Sequence, residues 1–343
     1  MPGNELPLSE RVVPGPVPWP LDTDQLSWRI TSLDDLDGIF RLYEAISSVE
    51  HPNWTETREE ILDELTHSWV DLARDSIVAV ERATGAIVAT GLNVVPPGQE
   101  TLVRSILFGG VHPGWRGRGI GRVLAGWQLA RAIEQLAASD KKLPGWIVVQ
   151  TESRAPDHAR LFERLGFTKS RWFLGQQRMI ADDIPAIDIP AEIRIVPFEE
   201  RYAAAALEAK NDSFRDHWGS QPTSEELWRS MLDLPTFAPE HSFLAVTTSD
   251  EVVGILMTEL PRDDWERQGY SSGYIPTVGV VREWRRRGIA PALLARVFES
   301  LRAAGIERAE LDVDSDSPTG ALSLYAGMGF VETSQTITVT KVF

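Results

Sequence analysis

The feature that most constrains this chain is that it reads twice. From Trp28 onward one series of elements occurs in the first half and recurs in the second. "WRITSL" (28–33) and "EIRIVPF" (192–198) alternate apolar and polar residues as short strands do, and each leads into a helical stretch, "DDLDGIFRLYEAIS" or "ERYAAAALEAKNDSF". Strand pairs follow, "SIVAVE" with "AIVATGLNVV" and "SFLAVTT" with "EVVGILMTEL", each joined by a short polar turn. A further strand, "SILFGGV" or "YIPTVGVV", feeds an arginine-glycine turn, and an amphipathic helix is expected over 119–138 or 288–304. Then come "WIVVQTES" or "AELDVDSDS", a short helix ending in Gly-Phe, and closing strands such as "TITVTKVF".

The 343 residues suit two domains of roughly 150 residues each. Each repeat reads as α/β in composition and α+β in layout: a mixed, mostly antiparallel central sheet flanked by helices. Residues 1–27, with Pro14, Pro16, Pro18 and Pro20 alternating, read as an extended arm. The domains are expected over 28–182 and 193–343, joined by a linker over 183–192 where two prolines interrupt any periodicity.

A formal charge of −16 argues against nonspecific nucleic-acid or anionic-membrane partners and favours a cationic small substrate. The absence of cysteine excludes a disulfide framework, a Cys-ligated zinc and a thiol nucleophile. The N-terminus has neither a basic start nor an apolar core, and no uncharged apolar run approaches membrane-spanning length. A cytoplasmic protein is the expectation.

In an acidic chain, "VVREWRRRGIA" (280–290) and "VHPGWRGRGIG" (111–121) concentrate positive charge at one place in each repeat. A strand that ends in a glycine turn and opens a helix leaves unpaired N–H groups at the helix N-terminus, which is an anion site. Gly119 and Gly288 admit close backbone approach. Arg116, Arg118, Arg285, Arg286 and Arg287 offer charge-assisted contacts to the same anion. The plain alternative is a solvated helix start in which glycine only permits the turn. Two known phosphate loops are excluded: Gly-Lys-Ser/Thr is missing, and Arg122 stands where a dinucleotide fingerprint needs its third glycine.

Arg116-Gly117-Arg118-Gly119-Ile120-Gly121 and Arg285-Arg286-Arg287-Gly288-Ile289-Ala290 resemble the signature of the GCN5-related N-acetyltransferases (GNAT), two of which would lie in tandem over 28–343. The tandem length is similar to that of the actinobacterial mycothiol synthase-like group. The resemblance implies that each turn holds the pyrophosphate of acetyl-CoA. It also implies that backbone groups around Val278, Gly279 and Val280, or Gly109, Gly110 and Val111, contact the thioester end. It implies a small-molecule amine acceptor and no metal, and leaves the oligomeric state open.

"SPTGALSLYAGMGF" (317–330) reads as a short helix with Ser317 as N-cap, Pro318 at the first helical position and Gly329 as C-cap. Ala321, Leu324, Tyr325 and Met328 share one face, so the Tyr325 ring points inward. On spacing alone it is core; by the resemblance it is the general acid that protonates the departing thiolate. "APDHARLFERLGF" (155–167) has Phe162 at the matching position, with His158 on the same face. The second half is therefore expected to be catalytic, and the first to bind CoA without turnover or to shape the acceptor site.

"YIPTVGVV" lacks the carboxylate that many relatives carry there. Glu259, ending the preceding strand, is the candidate base through a bridging water, or a plain edge-strand charge. In "FRDHWGSQP" (214–222), Asp216 can pair an ammonium, Trp218 can stack on it and His217 can relay a proton, or the segment is a capped helix end. Glu50, His51 and Trp54 are the first-half equivalents. Transfer of another acyl group, and a non-catalytic acyl-CoA sensor, are the rival functions.

Overall fold

The computed structural model describes residues 6–317 and 319–343. Two compact units result: residues 6–171 with 336–343, and residues 172–335.

In the first unit the order is α1 (Leu8–Arg11), β1 (Leu26–Arg29), α2 (Leu36–Glu50), α3 (Arg58–Thr66), α4 (Leu72–Asp75), β2 (Ser76–Glu81), β3 (Ile87–Val94), β4 (Val103–Val111), α5 (Ile120–Ala137), β5 (Gly145–Glu152) and α6 (Pro156–Arg164). Strand β6 (Thr168–Met179) begins in the first unit and ends in the second. The second unit continues with β7 (Ile193–Pro197), α7 (Ala203–Phe214), α8 (Glu225–Asp233), β8 (Phe243–Thr247), β9 (Val252–Glu259) and α9 (Arg262–Gln268). It then runs through β10 (Ser272–Val280), α10 (Ile289–Ala303), β11 (Arg308–Asp314) and α11 (Ala321–Gly327) into β12 (Val331–Val342).

In the first unit β1 to β4, and in the second β7 to β10, are antiparallel neighbours, while β4 with β5 and β10 with β11 are parallel. Helix α10 buries Ile289, Leu293, Leu294, Val297, Phe298 and Leu301 against one face of the second unit's strands. That 3.6-residue recurrence is why this stretch is a helix, and each buried side chain of this size contributes roughly 1.5–3 kcal/mol. Helix α7 covers the opposite face through Ala203, Ala206, Leu207 and Ala209.

Three expectations need correction. The closing strand does not complete its own repeat: residues 336–342 pair antiparallel with β5, Thr336 opposite Glu152 through Val342 opposite Trp146. The second repeat is instead completed by β6, with Met179 opposite Arg308 through Phe173 opposite Asp314. The compact units thus divide at 171/172 and 335/336, not at the proline-bearing stretch over 183–192. An alternating strand satisfies any apolar sheet edge of matching register, so its pattern does not name its partner. The arm is also not wholly extended: Leu8 is completely buried with Val12 and Leu136, and its N–H donates to the Lys141 carbonyl at 3.0 Å.

Glycine sets how closely elements approach beside the fourth strand. Gly109 has φ +120°, and a Cβ there would lie 2.1 Å from the Thr90 carbonyl oxygen. Gly126, inside α5, has nothing within 4 Å of where a Cβ would stand. Gly109→Ala is expected to destabilise the protein by about 3 kcal/mol through overpacking and backbone strain. Gly126→Ala is expected to stabilise it by about 0.5–1 kcal/mol, as helix propensity requires. Shifts of opposite sign in the urea midpoint check both.

Candidate active site

The parallel ladder in each unit stops early. In the second unit β10 and β11 pair over only three rungs, Ser272 with Arg308 to Tyr274 with Glu310, although β10 runs on to Val280 and β11 to Asp314. In the first unit β4 and β5 pair over four rungs, Val103 with Gly145 to Ile106 with Val148, and then part. The outer edges stay paired: Thr277–Val280 with β9, and β11 with β6 up to Asp314. A gap therefore opens between two strands that are each held on their other side. Backbone groups line it, and Val278, Gly279 and Val280, or Gly109, Gly110 and Val111, lie along it. Gly279 and Gly110 let a helix close one face, since a Cβ would lie 2.8 Å from Ser213 Cβ in α7 or from Ile46 Cδ1 in α2.

Each gap ends at an arginine-glycine turn, and the two turns share one backbone conformation. Gly117 and Gly119 have φ +76° and +85°; Arg286 and Gly288 have +61° and +80°. Alternating left-handed residues ahead of a helix turn successive N–H groups toward one point, an anion-binding nest. The non-glycine Arg286 holds this conformation against a strain of about 1–3 kcal/mol.

The arginines are less available than their spacing implies. Arg116 and Arg285 turn back: Nε donates to the strand-end carbonyl of Val111 at 3.1 Å or Val280 at 3.2 Å. Their remaining nitrogens meet Glu50 at 2.7 Å, or Asp216 at 3.1 Å and the Ser213 carbonyl at 2.9 Å. Arg118 and Arg287 donate to the Gly114 and Glu283 carbonyls, each at 3.2 Å, and lie over Trp115 and Trp284. An anion at either turn would thus meet mainly backbone and a helix N-terminus, at Ile120 and Gly121 or Ile289 and Ala290, with the outer arginines at the rim. Gly288 admits the Asp188 carbonyl, 2.7 Å from where its Cβ would stand; Gly119 has no such neighbour.

Tyr325 faces inward as its spacing predicts, 8% exposed and edge-on to Phe330 at 5.7 Å. Burial pushes its phenol up to about 12, so it is protonated at any working pH. Among the described residues its hydroxyl has no hydrogen-bond partner. Helix α11 starts later than expected, after Gly320 at φ +77°; Ser317 pairs with Thr319 instead of capping, and Pro318 lies outside the described residues. The helix is capped at Met328, with Gly329 following at φ +86°. In the first unit Phe162 is buried core, and burial together with the nearby Arg116 pushes His158 down to about 4. That imidazole is neutral at pH 7.

Asp216 is committed to Arg282 and Arg285, which leaves it a brace for the turn rather than an open carboxylate. His217 sits against Phe214 at 4.6 Å, and burial lowers its pKa against the opposing pull of Asp314. His51 stacks on Trp54 at 3.8 Å. Glu259 stands opposite Tyr274. Sequence reasoning passed over the next strand: Glu310, Asp312 and Asp314 share one face of β11 because they alternate with buried Ala309, Leu311 and Val313. The Tyr274 hydroxyl donates to Asp312 Oδ2 at 2.9 Å, and Tyr270 to Glu310 Oε1 at 2.9 Å. The alternation in "AELDVDSDS" was the available signal; the tyrosine partners come from other parts of the chain.

The profile of the Acetyltransferase (GNAT) family matches residues 203–330. A mycothiol acetyltransferase of Thermobispora bispora is 32% identical over 225 residues, 64% of this chain and 70% of that one. One from Frankia alni is 27% identical over 332 residues, covering 90% and 92%. A GCN5-related N-acetyltransferase from Sphaerobacter thermophilus superposes with a TM-score of 0.68 at 26% identity, covering 93% of this chain and 96% of its own. A tandem GNAT protein from the clavulanic acid biosynthesis pathway shares the fold, with a TM-score of 0.66 at 16% identity over 93% and 98%.

Arg282 and Arg285 hold the Asp216 carboxyl below the usual carboxylate range. Its stabilising effect is therefore present above the unfolded value of about 3.9 and lost as pH falls through the lower folded value. Asp216→Asn is expected to lower the thermal midpoint at pH 7, with the difference from the parent closing below about pH 4. Circular dichroism melts across that range check it.

Proposed function

The chain belongs to the GNAT acetyltransferase family, and from that premise we propose that it transfers the acetyl group of acetyl-CoA to a primary amine of a small molecule, by direct attack in a ternary complex in the second unit. The observation that carries this reading is the interrupted ladder between β10 and β11, which opens beside the nest at Arg286–Gly288. An extended acyl-pantetheine arm needs such an edge: backbone groups to pair with along its length, and a helix N-terminus for the diphosphate at one end.

Tyr325 supplies the proton for the leaving sulfur. A phenol near 12 donating to a thiolate near 8.5 is uphill by about 5 kcal/mol in water, but the same desolvation raises the thiol in the gap and narrows the difference. A phenol with no protein partner is also ready to donate to a ligand. The first unit keeps the gap and the nest but has Phe162 where the phenol would be, and its Gln128 Nε2 already donates to the Phe108 carbonyl at 2.8 Å. It is read as a CoA-binding or acceptor-shaping unit without turnover. The name carried by the curated relatives makes the amine precursor of mycothiol the first acceptor to assay, followed by simple primary amines.

Tyr325→Phe is expected to lower kcat by about 100-fold or more while leaving the acetyl-CoA Kd unchanged by calorimetry. Arg118→Glu and Arg287→Glu, which reverse charge at the rim of each nest, are each expected to weaken CoA binding in their own unit, with turnover lost only for Arg287→Glu. Turnover that survives both Tyr325→Phe and Arg287→Glu would refute the assignment to the second unit.

A further inference from the structure

We propose that Asp312, held by Tyr274, is the carboxylate that receives the acceptor's ammonium group and removes its proton. The proposal rests on the acetyl-transfer reading above and names the base that the fourth strand lacks.

The geometry is specific. The last parallel rung pairs Tyr274 with Glu310, so Asp312 is the first residue on that face of β11 beyond the point where the strands part. The Tyr274 hydroxyl reaches across to Asp312 Oδ2 at 2.9 Å and fixes the carboxylate at the mouth of the gap. On its other side Asp312 lies opposite Gly175 of β6, where even a Cβ would come within 3.3 Å of Oδ1. Tyr325, nine-tenths buried and with an unpartnered hydroxyl, stands on α11, which packs against the same strand.

Among the described residues no cation pairs with Asp312. Facing Asp312 and Tyr274 are Glu259 from β9, Glu310 and Asp314 from β11, and beyond Asp314 the mostly neutral His217. Arg308 is committed elsewhere, over the Tyr270 ring at 3.6 Å and donating to Gln177 Oε1 at 2.7 Å, where it balances Glu310. Among the described residues Asp312 forms no ion pair, and the hydroxyl of Tyr274 is its hydrogen-bond donor. Asp312 reaches solvent at the mouth of the gap and has no counter-ion among the described residues, so an arriving ammonium can pair with it. Partial desolvation by the surrounding protein also raises the Asp312 carboxyl, which makes it a stronger base than a free aspartate.

In the reaction Asp312 takes one proton from R–NH3+ and later releases it to solvent. The freed nitrogen pair forms the N–C bond to the thioester carbonyl carbon while the C–S bond breaks. The Tyr325 phenol protonates the sulfur, and the second proton lost by nitrogen restores the phenol through solvent. The net change is amine cation and thioester to amide, thiol and one proton.

The test uses the full chain with acetyl-CoA and the amine precursor of mycothiol, or the most active simple primary amine if that precursor is inert. Asp312→Asn is expected to lower kcat/KM for the amine by about 100-fold or more near pH 7, with the acetyl-CoA Kd within about twofold of the parent. Its remaining rate should climb about tenfold per pH unit toward the pKa of the amine, as free amine replaces base-assisted deprotonation. Tyr274→Phe removes a hydrogen bond that lowers the Asp312 pKa, so its acid limb should move to higher pH. Asp312→Asn turnover within about threefold of the parent, or a larger loss in Glu259→Gln, would overturn the assignment alone. A parent enzyme that binds acetyl-CoA but acetylates no amine would overturn the acetyl-transfer reading and this proposal with it.

Discussion

Everything at this site depends on a parallel strand pair that stops pairing after three rungs. Parallel strands joined by a crossover helix normally share a ladder along their whole common length. Here β10 and β11 leave each other after Tyr274 and Glu310 while their outer edges remain held by β9 and β6. Because those outer ladders carry the stability of both strands, the gap between them persists without collapsing. A buried edge of unpaired peptide groups is unfavourable on its own, which makes the gap a place that an extended ligand with its own amide groups can occupy.

The arginine-glycine turn makes sense beside that gap. Its first arginine closes the strand end, donating to a carbonyl five residues earlier in both units, and a carboxylate from the preceding helical region locks it: Glu50 in one unit, Asp216 in the other. Positive charge is thus used partly to build the turn, and the proposed function gives the rest an anion to face. The nest itself is backbone. That is why Arg286 can take the place of Gly117 at the cost of some strain, and why the same local shape arises from "RGRG" and "RRRG".

The two units share this scaffold and differ in the groups around it. Phe162 and Tyr325 occupy equivalent buried positions, but one is core alone and the other keeps a hydroxyl. Gln128 fills a hydrogen bond beside the first gap, whereas Val297, at the same place in α10, leaves the second free of it. Under the proposed function, small substitutions on a common backbone would separate a unit equipped for proton transfer from one that is not. Within the second unit, the opposing pair is a buried phenol kept protonated and a carboxylate without a counter-ion.

Much of this is legible in the order of residues alone. The long helices expected over 119–138 and 288–304 occur as Ile120–Ala137 and Ile289–Ala303, the strand-turn-helix order is as read, and Tyr325 points inward as its spacing requires. These are local properties: side-chain period, turn chemistry and helix-start geometry each involve a few neighbouring residues, so sequence by itself determines them. Which strand completes each repeat, that Asp216 braces a turn, and that Tyr274 meets Asp312 were decided only by the tertiary structure. The alternating pattern of residues 336–342 suits any apolar edge, and an aspartate has no local preference among distant partners. Arg285 and Asp216 are 69 positions apart, and Val342 and Trp146 far more. Pairings at that separation come from the packing of the whole chain, in which distant strand edges and side chains are brought together at once.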